Sequence, residues 1–166
     1  DELFRDLPSF DDTATDHPTL AFLFNLLSYL QPTVIVEAGT YQGHFSVPVA
    51  RLLPECRVVT CDPVTNLMGG PPNFTFYRED FETMLQRFAP NSISFAFIDS
   101  GPPFATAEPG IRWRHWQACK PYMAPTGLMV CHDMVDAAAW EHGTDIAAEC
   151  IQLPGGRGIG LWQKPA

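Results

Sequence analysis

The sequence has few positive charges, no long apolar run and no paired-cysteine motif. Its 166 residues carry ten lysines and arginines against nineteen aspartates and glutamates, a formal net charge of −9. Binding to a nucleic-acid backbone is driven by lysine and arginine, so this balance argues against DNA or RNA as the main partner. Because no apolar run is long enough to span a bilayer, we expect no membrane partner either. A small molecule is the expected partner.

The cysteines show no pattern of disulfides or zinc ligands. They are five, an odd number, and no pair has the C-x-x-C spacing. We therefore expect reduced, buried thiols and a cytoplasmic location. The cysteines are Cys56, Cys61, Cys119, Cys131 and Cys150.

The third glycine of the G-x-G-x-x-G dinucleotide fingerprint is also missing. An apolar run ends at Glu37 and opens into a turn that contains Gly39 and Gly43. Ligands of open α/β sheets bind outside the carboxyl ends of the strands, where such turns lie. Glu37 would repel a pyrophosphate but attract an ammonium or a sulfonium group. The turn therefore predicts S-adenosylmethionine as the cofactor and disfavours a nicotinamide dehydrogenase.

Strand and helix patterns alternate along the chain, which predicts a doubly wound, mostly parallel α/β sheet with a C-terminal antiparallel hairpin. The length favours one domain over residues 1–166, with 1–16 as a candidate lid or acceptor-side segment. Pro48 is compatible with a helix after Gly43 only if it lies in the first turn or marks a kink. The predicted strands are 34–36, 57–62, 74–77, 93–98, 128–131 and the hairpin 150–153 and 159–162, and further helices are predicted over 18–30, 80–88, 111–123 and 137–150.

Four acids fall at the carboxyl ends of predicted strands, namely Glu37, Asp62, Asp99 and Asp133. Adjacent strands lie about 4.8 Å apart, so acids that end neighbouring strands can converge on one ligand. Asp62 also follows Gly43 by about 20 residues, the offset at which an acid holds ribose hydroxyls in nucleotide-binding sheets.

Several motifs resemble those of the class I S-adenosylmethionine-dependent methyltransferases. They are VEAGTYQG at 36–43, TCDP at 60–63, REDF at 78–81 and FIDS at 97–100. Within that superfamily, GTYQGHFS at 39–46 followed by ARLL at 50–53 is most similar to the small catechol-type O-methyltransferases. The resemblance covers nearly the whole chain and implies the methyltransferase fold and methyl transfer to a small-molecule hydroxyl.

The resemblance also implies roles for individual residues. Asp62 would hold the ribose, and Asp99 would face the transferred methyl group. Two of the acids have structural alternatives, a turn or helix-capping role for Asp62 and an N-cap role for Asp80. The residues implied around the methionine part are Glu37, Gly39, Thr40, Tyr41 and Gly43, and those beside the adenine are Asp80 and Phe81.

The catalytic and metal predictions concern three residues, Asp99, His132 and Asp133. His132 follows the fifth main strand, and a histidine pKa of roughly 6.5 suits a base that deprotonates a hydroxyl. A hydrogen-bonding structural role is the alternative. Catechol-type enzymes bind a divalent metal at the positions that Asp99, His132 and Asp133 occupy here. A histidine in place of a carboxylate either shifts the preference toward a transition metal or abolishes the site.

Two other functions remain open from the sequence. Residues 99–104 read Asp-Ser-Gly-Pro-Pro-Phe, similar to the motif of enzymes that methylate amino groups, but glycine stands where those enzymes need a polar side chain. The chain also suits a domain that binds S-adenosylmethionine without catalysis. Aromatic residues that could line an acceptor cleft are Phe4, Phe10, Phe104, Trp113 and Trp140. The oligomeric state is left open.

Overall fold

The apolar segments of the chain pair into one mixed sheet. The computed structural model describes residues 2–9, 15–67, 69–101, 110–133, 149–151 and 158–166, with the backbone alone for 149–151. Within these ranges the strands are β1 (Val34–Ala38), β2 (Arg57–Cys61), β3 (Phe74–Tyr77), β4 (Ile93–Ile98), β5 (Met123–His132), β6 (Glu149–Ile151) and β7 (Ile159–Gln163). The α-helices are α1 (His17–Leu30), α2 (Ser46–Leu52), α3 (Phe81–Leu85) and α4 (Ile111–Cys119).

The strand order is β3-β2-β1-β4-β5-β7-β6. The first five strands are parallel, and β7 runs antiparallel to both β5 and β6. This confirms the predicted doubly wound sheet and its terminal hairpin. The chain leaves β1 toward β2 and later returns on the other side of β1 to form β4. That reversal opens a crevice at the carboxyl ends of β1 and β4, where ligands bind in such sheets.

Helices cover both faces of the sheet. On one face, α1 buries Leu20, Leu23 and Leu27 at the spacing that predicted the helix, and α2 packs beside it. On the other face, α3 and α4 cover the sheet, and the largest fully buried side chain there is Trp116. Burial on both faces explains why β1 and β4 are mostly apolar and lack the alternation of a half-exposed strand.

Local signals fix where the helices begin. Asp16 caps α1, because its side chain accepts a hydrogen bond from the Thr19 N–H at 2.9 Å. Asp80 caps α3 in the same way through Thr83. Pro48 is the third residue of α2 and thus lies in the first turn, where a missing N–H costs no helical hydrogen bond, as predicted.

Several predicted boundaries are wrong. The helix predicted over 111–123 ends at Cys119, because Pro121 lacks an N–H and the chain tightens into a 3-10 turn over Lys120–Tyr122. Strand β5 then begins at Met123, which pairs with Ile93, five residues before the predicted start. Residues 149–151 form a strand paired with β7, so the helix predicted over 137–150 does not extend to residue 150. The remainder of that predicted helix lies outside the described residues.

The described cysteines other than Cys150 are free and buried, as predicted. Burial raises the pKa of the Cys56 thiol to about 11 and raises the others further. Within the described ranges, no helix combines the length and the apolar character that crossing a membrane requires.

The turn after β1 requires a glycine at position 39. Gly39 has a φ of +93°, in the region that favours glycine. A Cβ atom added there would lie 2.5 Å from the Asp99 carbonyl oxygen, a backbone atom that cannot swing aside. The glycine therefore lets the turn approach the end of β4, and this approach shapes the crevice.

We expect Gly39→Ala to destabilise the protein more than Gly69→Ala does. Both positions have a positive φ, near +93° and +85°, but no described atom lies within 4 Å of a Cβ built at Gly69. The strained φ costs both variants on the order of 1 to 2 kcal/mol, and only Gly39→Ala adds a backbone collision. Urea unfolding of the two variants measures the difference. Equal losses would mean that the approach of the turn to β4 is not a constraint.

Candidate active site

A cavity of about 590 Å³ opens at the carboxyl ends of the parallel strands. All four acids predicted from the strand ends, Glu37, Asp62, Asp99 and Asp133, lie in its wall. Five other predicted site residues also line it, namely Gly39, Thr40, Tyr41, Asp80 and Phe81. Gly43 and His132 are buried and lie outside the described part of the wall.

Backbone hydrogen bonds hold the glycine turn in place. The N–H groups of Gly39 and Thr40 both donate to the Cys61 carbonyl, at 3.0 and 3.2 Å, and fasten the turn to the end of β2. Inside the turn, the Gly43 N–H donates to the Thr40 carbonyl at 2.8 Å. Tyr41 has a φ of 45°, a conformation that non-glycine residues rarely adopt. The turn is thus a fixed, strained wall of the cavity.

Glu37 is a buried carboxyl group at the base of this wall, with 2% of its surface exposed. Burial raises its pKa to about 8, helped by the charges of Asp99 and Asp62 and opposed by the hydrogen bond from Thr60 Oγ1 at 2.6 Å. Glu37 is therefore mainly neutral at pH 7. A cation placed beside it would favour the ionised form.

Asp62 and Asp80 both make the structural contacts that the sequence left as alternatives. Asp62 accepts hydrogen bonds from the N–H groups of Tyr41, Val64 and Thr65, at 3.0, 2.9 and 2.9 Å. Asp80 caps α3, and the Thr83 backbone and hydroxyl hydrogen bonds lower its pKa. Since both acids also line the cavity, their predicted cofactor roles stay predictions.

His132 lies between two carboxylates and has no exposed surface. Its Nδ1 is 2.9 Å from Asp99 Oδ1, and its Nε2 is 2.7 Å from Asp16 Oδ2. Burial by itself lowers the pKa of His132, but the surrounding carboxylates outweigh burial and raise it to about 9. Ionised carboxylates only accept hydrogen bonds, so both ring nitrogens donate and the ring is an imidazolium at neutral pH.

Two residues of this network, Thr15 and Asp16, were not predicted from the sequence. Thr15 Oγ1 donates to Asp99 Oδ2 at 2.7 Å, beside the contact of Asp16 with His132. Burial alone would raise the pKa of Asp99, but the charges of His132 and Arg112, with the Thr15 hydrogen bond, lower it overall. The spacing of Asp16 and Thr19 indicates a helix cap, yet no local signal indicates that the cap also meets β5.

Arg112 is a third residue that sequence reasoning missed. Its Nη2 lies 2.8 Å from Asp133 Oδ2 and 3.8 Å from Asp99 Oδ1, and only 11% of its side chain is exposed. Asp133 itself has a φ of 59°, a conformation that non-glycine residues rarely adopt. Only the direction of the first turn of α4 brings Arg112 into the cavity wall.

The three predicted metal ligands are brought together. Asp99, His132 and Asp133 each offer one ligand atom within 4.8 Å of the others, close enough to meet at one ion. Their atoms nevertheless already have partners, because His132 uses both nitrogens and Arg112 pairs with Asp133.

The segment before α1 packs against the glycine turn and α2. His44 Nε2 lies 2.8 Å from the Pro8 carbonyl, and Arg51 Nη1 donates to the Leu3 and Arg5 carbonyls at 2.8 and 2.7 Å.

Of the aromatic residues suggested for an acceptor cleft, Phe4 and Trp113 pack against the core clusters. Phe10, Phe104 and Trp140, with residues 102–104 of the 99–104 motif, lie outside the described residues.

Residues 36–134 match a family profile described as "Methyltransferase domain", which covers more than half of the chain. A comparison with curated protein sequences finds no significant match. The matched range contains the strand-end acids, the glycine turn, Arg112 and His132.

Solved structures with the same fold include three methyltransferases or cofactor-bound proteins. Rv0187 from MTB, in a cofactor-bound structure, is 19% identical, with a TM-score of 0.70 over 94% of this chain and 82% of that one. The O-methyltransferase TomG from Streptomyces achromogenes, in complex with SAM, is 18% identical, with a TM-score of 0.67 over 99% and 87%. A methyltransferase from Geobacter sulfurreducens is 18% identical, with a TM-score of 0.66 over 92% and 80%.

At such identities the structural likeness shows the fold, and the family match shows the membership. The predicted cofactor agrees with both, because the cavity lies where the fold binds a nucleoside and its buried acid suits a cation. The chain belongs to the methyltransferase-domain family and is a class I S-adenosylmethionine-dependent methyltransferase.

Proposed function

We propose that the chain methylates a hydroxyl oxygen of a small molecule. The observation that carries the proposal is one cavity with two chemically different walls. One wall is the glycine turn with the buried carboxyl of Glu37, which suits a cationic cofactor. The other wall carries Asp99, Asp133 and Arg112, charged groups that suit a polar oxygen acceptor.

The residues present fit S-adenosylmethionine. Gly39 lies in the cavity wall without a side chain, and Glu37 gains a charge partner when an ammonium or a sulfonium binds. We propose that Glu37, Thr40 and Tyr41 contact the methionine part, with Gly39 and Gly43 shaping the turn around it. Asp62 would hold the ribose, Asp80 and Phe81 would flank the adenine, and Asp99 would face the methyl group.

S-adenosylmethionine supplies a methyl group on a sulfonium, and methyl transfer forms an O–C bond as the S–C bond breaks. The protein's task is to hold the acceptor oxygen in near-attack geometry and to take its proton. Asp133 is in the cavity wall, and a carboxylate can accept hydrogen bonds at both of its oxygens. We assign to Asp133 the acceptance of the hydroxyl proton.

This assignment changes the role proposed for His132. In the observed network both ring nitrogens donate to carboxylates, so neither offers a lone pair to a hydroxyl in the cavity. His132 instead fixes Asp99 and counters its negative charge. We therefore propose that His132 is a positioning residue and that Asp99 and Asp133 touch the reacting groups.

The surroundings support a small acceptor. Thr15 is in the cavity wall and Asp16 contacts His132, which supports an acceptor-side role for the segment 1–16 within a single domain. The net charge of −9 opposes a nucleic-acid acceptor. Free thiols at the described cysteines support a cytoplasmic location.

Incubation with S-adenosylmethionine and matched panels of phenols, alcohols and amines should yield S-adenosylhomocysteine and an O-methylated product. Asp133→Asn should lower the rate by about 100-fold, since a general base typically contributes that much or more. Mass spectrometry identifies the methylated atom. Methylation of amines alone would contradict the proposal, and so would binding of S-adenosylhomocysteine without turnover of any hydroxyl compound.

A thermal-shift control separates binding from catalysis. S-adenosylhomocysteine should raise the unfolding temperature of both the wild type and Asp133→Asn, whereas NAD should leave it unchanged. Stabilisation by NAD would contradict the cofactor assignment.

The affinity for S-adenosylmethionine should increase with pH up to about 8 in the wild type. The empty protein holds a proton on Glu37 below that pH, and the bound cation expels it, so binding releases a proton. The slope is at most about tenfold per pH unit and disappears above the pKa. Isothermal titration calorimetry at several pH values, in buffers of different ionisation enthalpy, measures both effects.

Glu37→Gln should remove this part of the pH dependence, and the exposed Glu55→Gln should retain it. The cofactor's own ionisation is common to all three proteins, so the difference between them isolates Glu37. An identical pH profile for Glu37→Gln and the wild type would show that Glu37 does not contact the cationic part.

A further inference from the structure

We propose that the Arg112 guanidinium, and not a divalent metal ion, supplies the positive charge that serves the acceptor oxygen in this cavity. The metal-binding part of this inference concerns the chain alone, whereas its kinetic part rests on the proposed methylation of a hydroxyl. Four observations carry it, and they come from the ends of β4 and β5 and the starts of α1 and α4.

The first observation is that His132 is not available as a metal ligand. A histidine binds a metal through the lone pair of a ring nitrogen. Here Nδ1 lies 2.9 Å from Asp99 and Nε2 lies 2.7 Å from Asp16, so each ring nitrogen already has a carboxylate partner. A metal would have to displace one of these partners at a fully buried side chain.

The second observation is the position of Arg112 relative to the two remaining ligands. Nη2 is 2.8 Å from Asp133 Oδ2 and 3.8 Å from Asp99 Oδ1, so one nitrogen faces both carboxylates. An ion bound to Asp133 Oδ2 at about 2.1 Å would lie within roughly 5 Å of that nitrogen. The guanidinium is always charged, so the two cations would repel each other in a site that is largely shielded from water.

The third observation is that the carboxylates of the network already have polar partners. Asp99 faces the His132 ring, Arg112 and Thr15, and Asp133 pairs with Arg112. Asp16 sits at the N-terminus of α1 and accepts the Thr19 N–H, a position that favours an anion. A divalent ion would have to displace these partners.

The fourth observation is that Arg112 has donor capacity left. Its described contacts with Asp99 and Asp133 run through Nη2, and within the described ranges Nε has no hydrogen-bond partner. The side chain lines the cavity from α4, beside the Asp133 carboxylate that we propose takes the acceptor proton. As that proton leaves, negative charge develops on the acceptor oxygen, and a guanidinium in a shielded site stabilises it.

A metal-binding experiment tests the inference without any acceptor. Manganese is titrated into metal-free full-length protein, and binding is followed by calorimetry and by the electron paramagnetic resonance of free Mn²⁺. We expect no saturable binding at micromolar to low millimolar metal. Saturable binding to one site that Asp133→Asn abolishes would overturn the inference.

A kinetic experiment tests the role of Arg112. With an acceptor from the phenol panel, the wild-type rate should be unchanged after EDTA treatment and after addition of Mg²⁺ or Mn²⁺. Arg112→Gln should lower kcat by about 100-fold or more, with the larger losses for the less acidic phenols, because their oxyanions need more stabilisation. Loss of activity in EDTA with recovery in metal would overturn the inference.

Arg114→Gln is the matched control, since it removes the same charge from the same helix. Arg114 also lies in the cavity wall, but its Nε pairs with Glu82 at 2.7 Å, away from the Asp99 and Asp133 carboxylates. Its effect on kcat should not depend on the acidity of the phenol. Arg112→Lys keeps the charge and should recover part of the rate, and an Arg112→Gln rate close to that of the wild type would overturn the inference.

These outcomes differ from a failure of the proposed function. If no hydroxyl compound is methylated with or without metal, the proposed function fails, and the manganese titration still decides whether the site binds a divalent ion. If Arg112→Gln does not fold, the titration and the EDTA experiment on the wild type remain decisive.

Discussion

The buried carboxylate of Asp99 imposes the main constraint on this structure. An ionised group removed from water costs much free energy unless opposite charge and hydrogen bonds surround it. His132, Arg112 and Thr15 meet that requirement, and each comes from a different part of the chain. The carboxylate therefore joins β4 to β5, to α4 and to the segment before α1. The same contacts of Asp99 therefore pack the end of β4 and balance the charge in the cavity.

The backbone of the same residue sets the shape of the cofactor side. Its N–H donates to the Ala38 carbonyl at 2.9 Å, which continues the pairing of β1 with β4 beyond the last strand residue. Its carbonyl lies against Gly39, so the glycine turn can approach only because position 39 has no side chain. Asp99 thus lies between the wall that suits the cofactor and the wall that suits the acceptor.

The two walls differ in how they hold charge. Glu37 is buried without enough compensation, so it keeps a proton near neutral pH and is prepared for a cationic ligand. Asp99 is buried with two cations beside it, so it stays ionised without one. The two acids differ in protonation because their neighbouring charges differ. Their burial does not explain the difference, since both side chains are largely shielded from water. Glu37 thus gains a charge partner only when a cation binds, whereas Asp99 already has charge partners in the empty cavity.

The sequence alone determined the fold class, the cofactor and the edge of the sheet where the site lies. Apolar runs with period-specific spacing form the strands and helices, and acids that follow parallel strands must share one edge, so Glu37, Asp62, Asp99 and Asp133 meet there. Strand and helix spacing and the acids at strand ends are features of short segments, so the sequence of each segment is enough to predict them. The end of α4 and the start of β5 were misplaced because Pro121 and the pairing of Met123 with Ile93 override the helical pattern.

Only the tertiary structure decided which acids are ionised and which side chains neutralise their charge. Thr15 and Asp16 lie more than eighty residues from Asp99 and His132 in the chain, and Arg112 reaches the cavity only through the direction of α4. The protonation of a buried group depends on the distances to all its neighbours, which no spacing along the sequence encodes. For that reason the sequence located the site, and the fold set its chemistry.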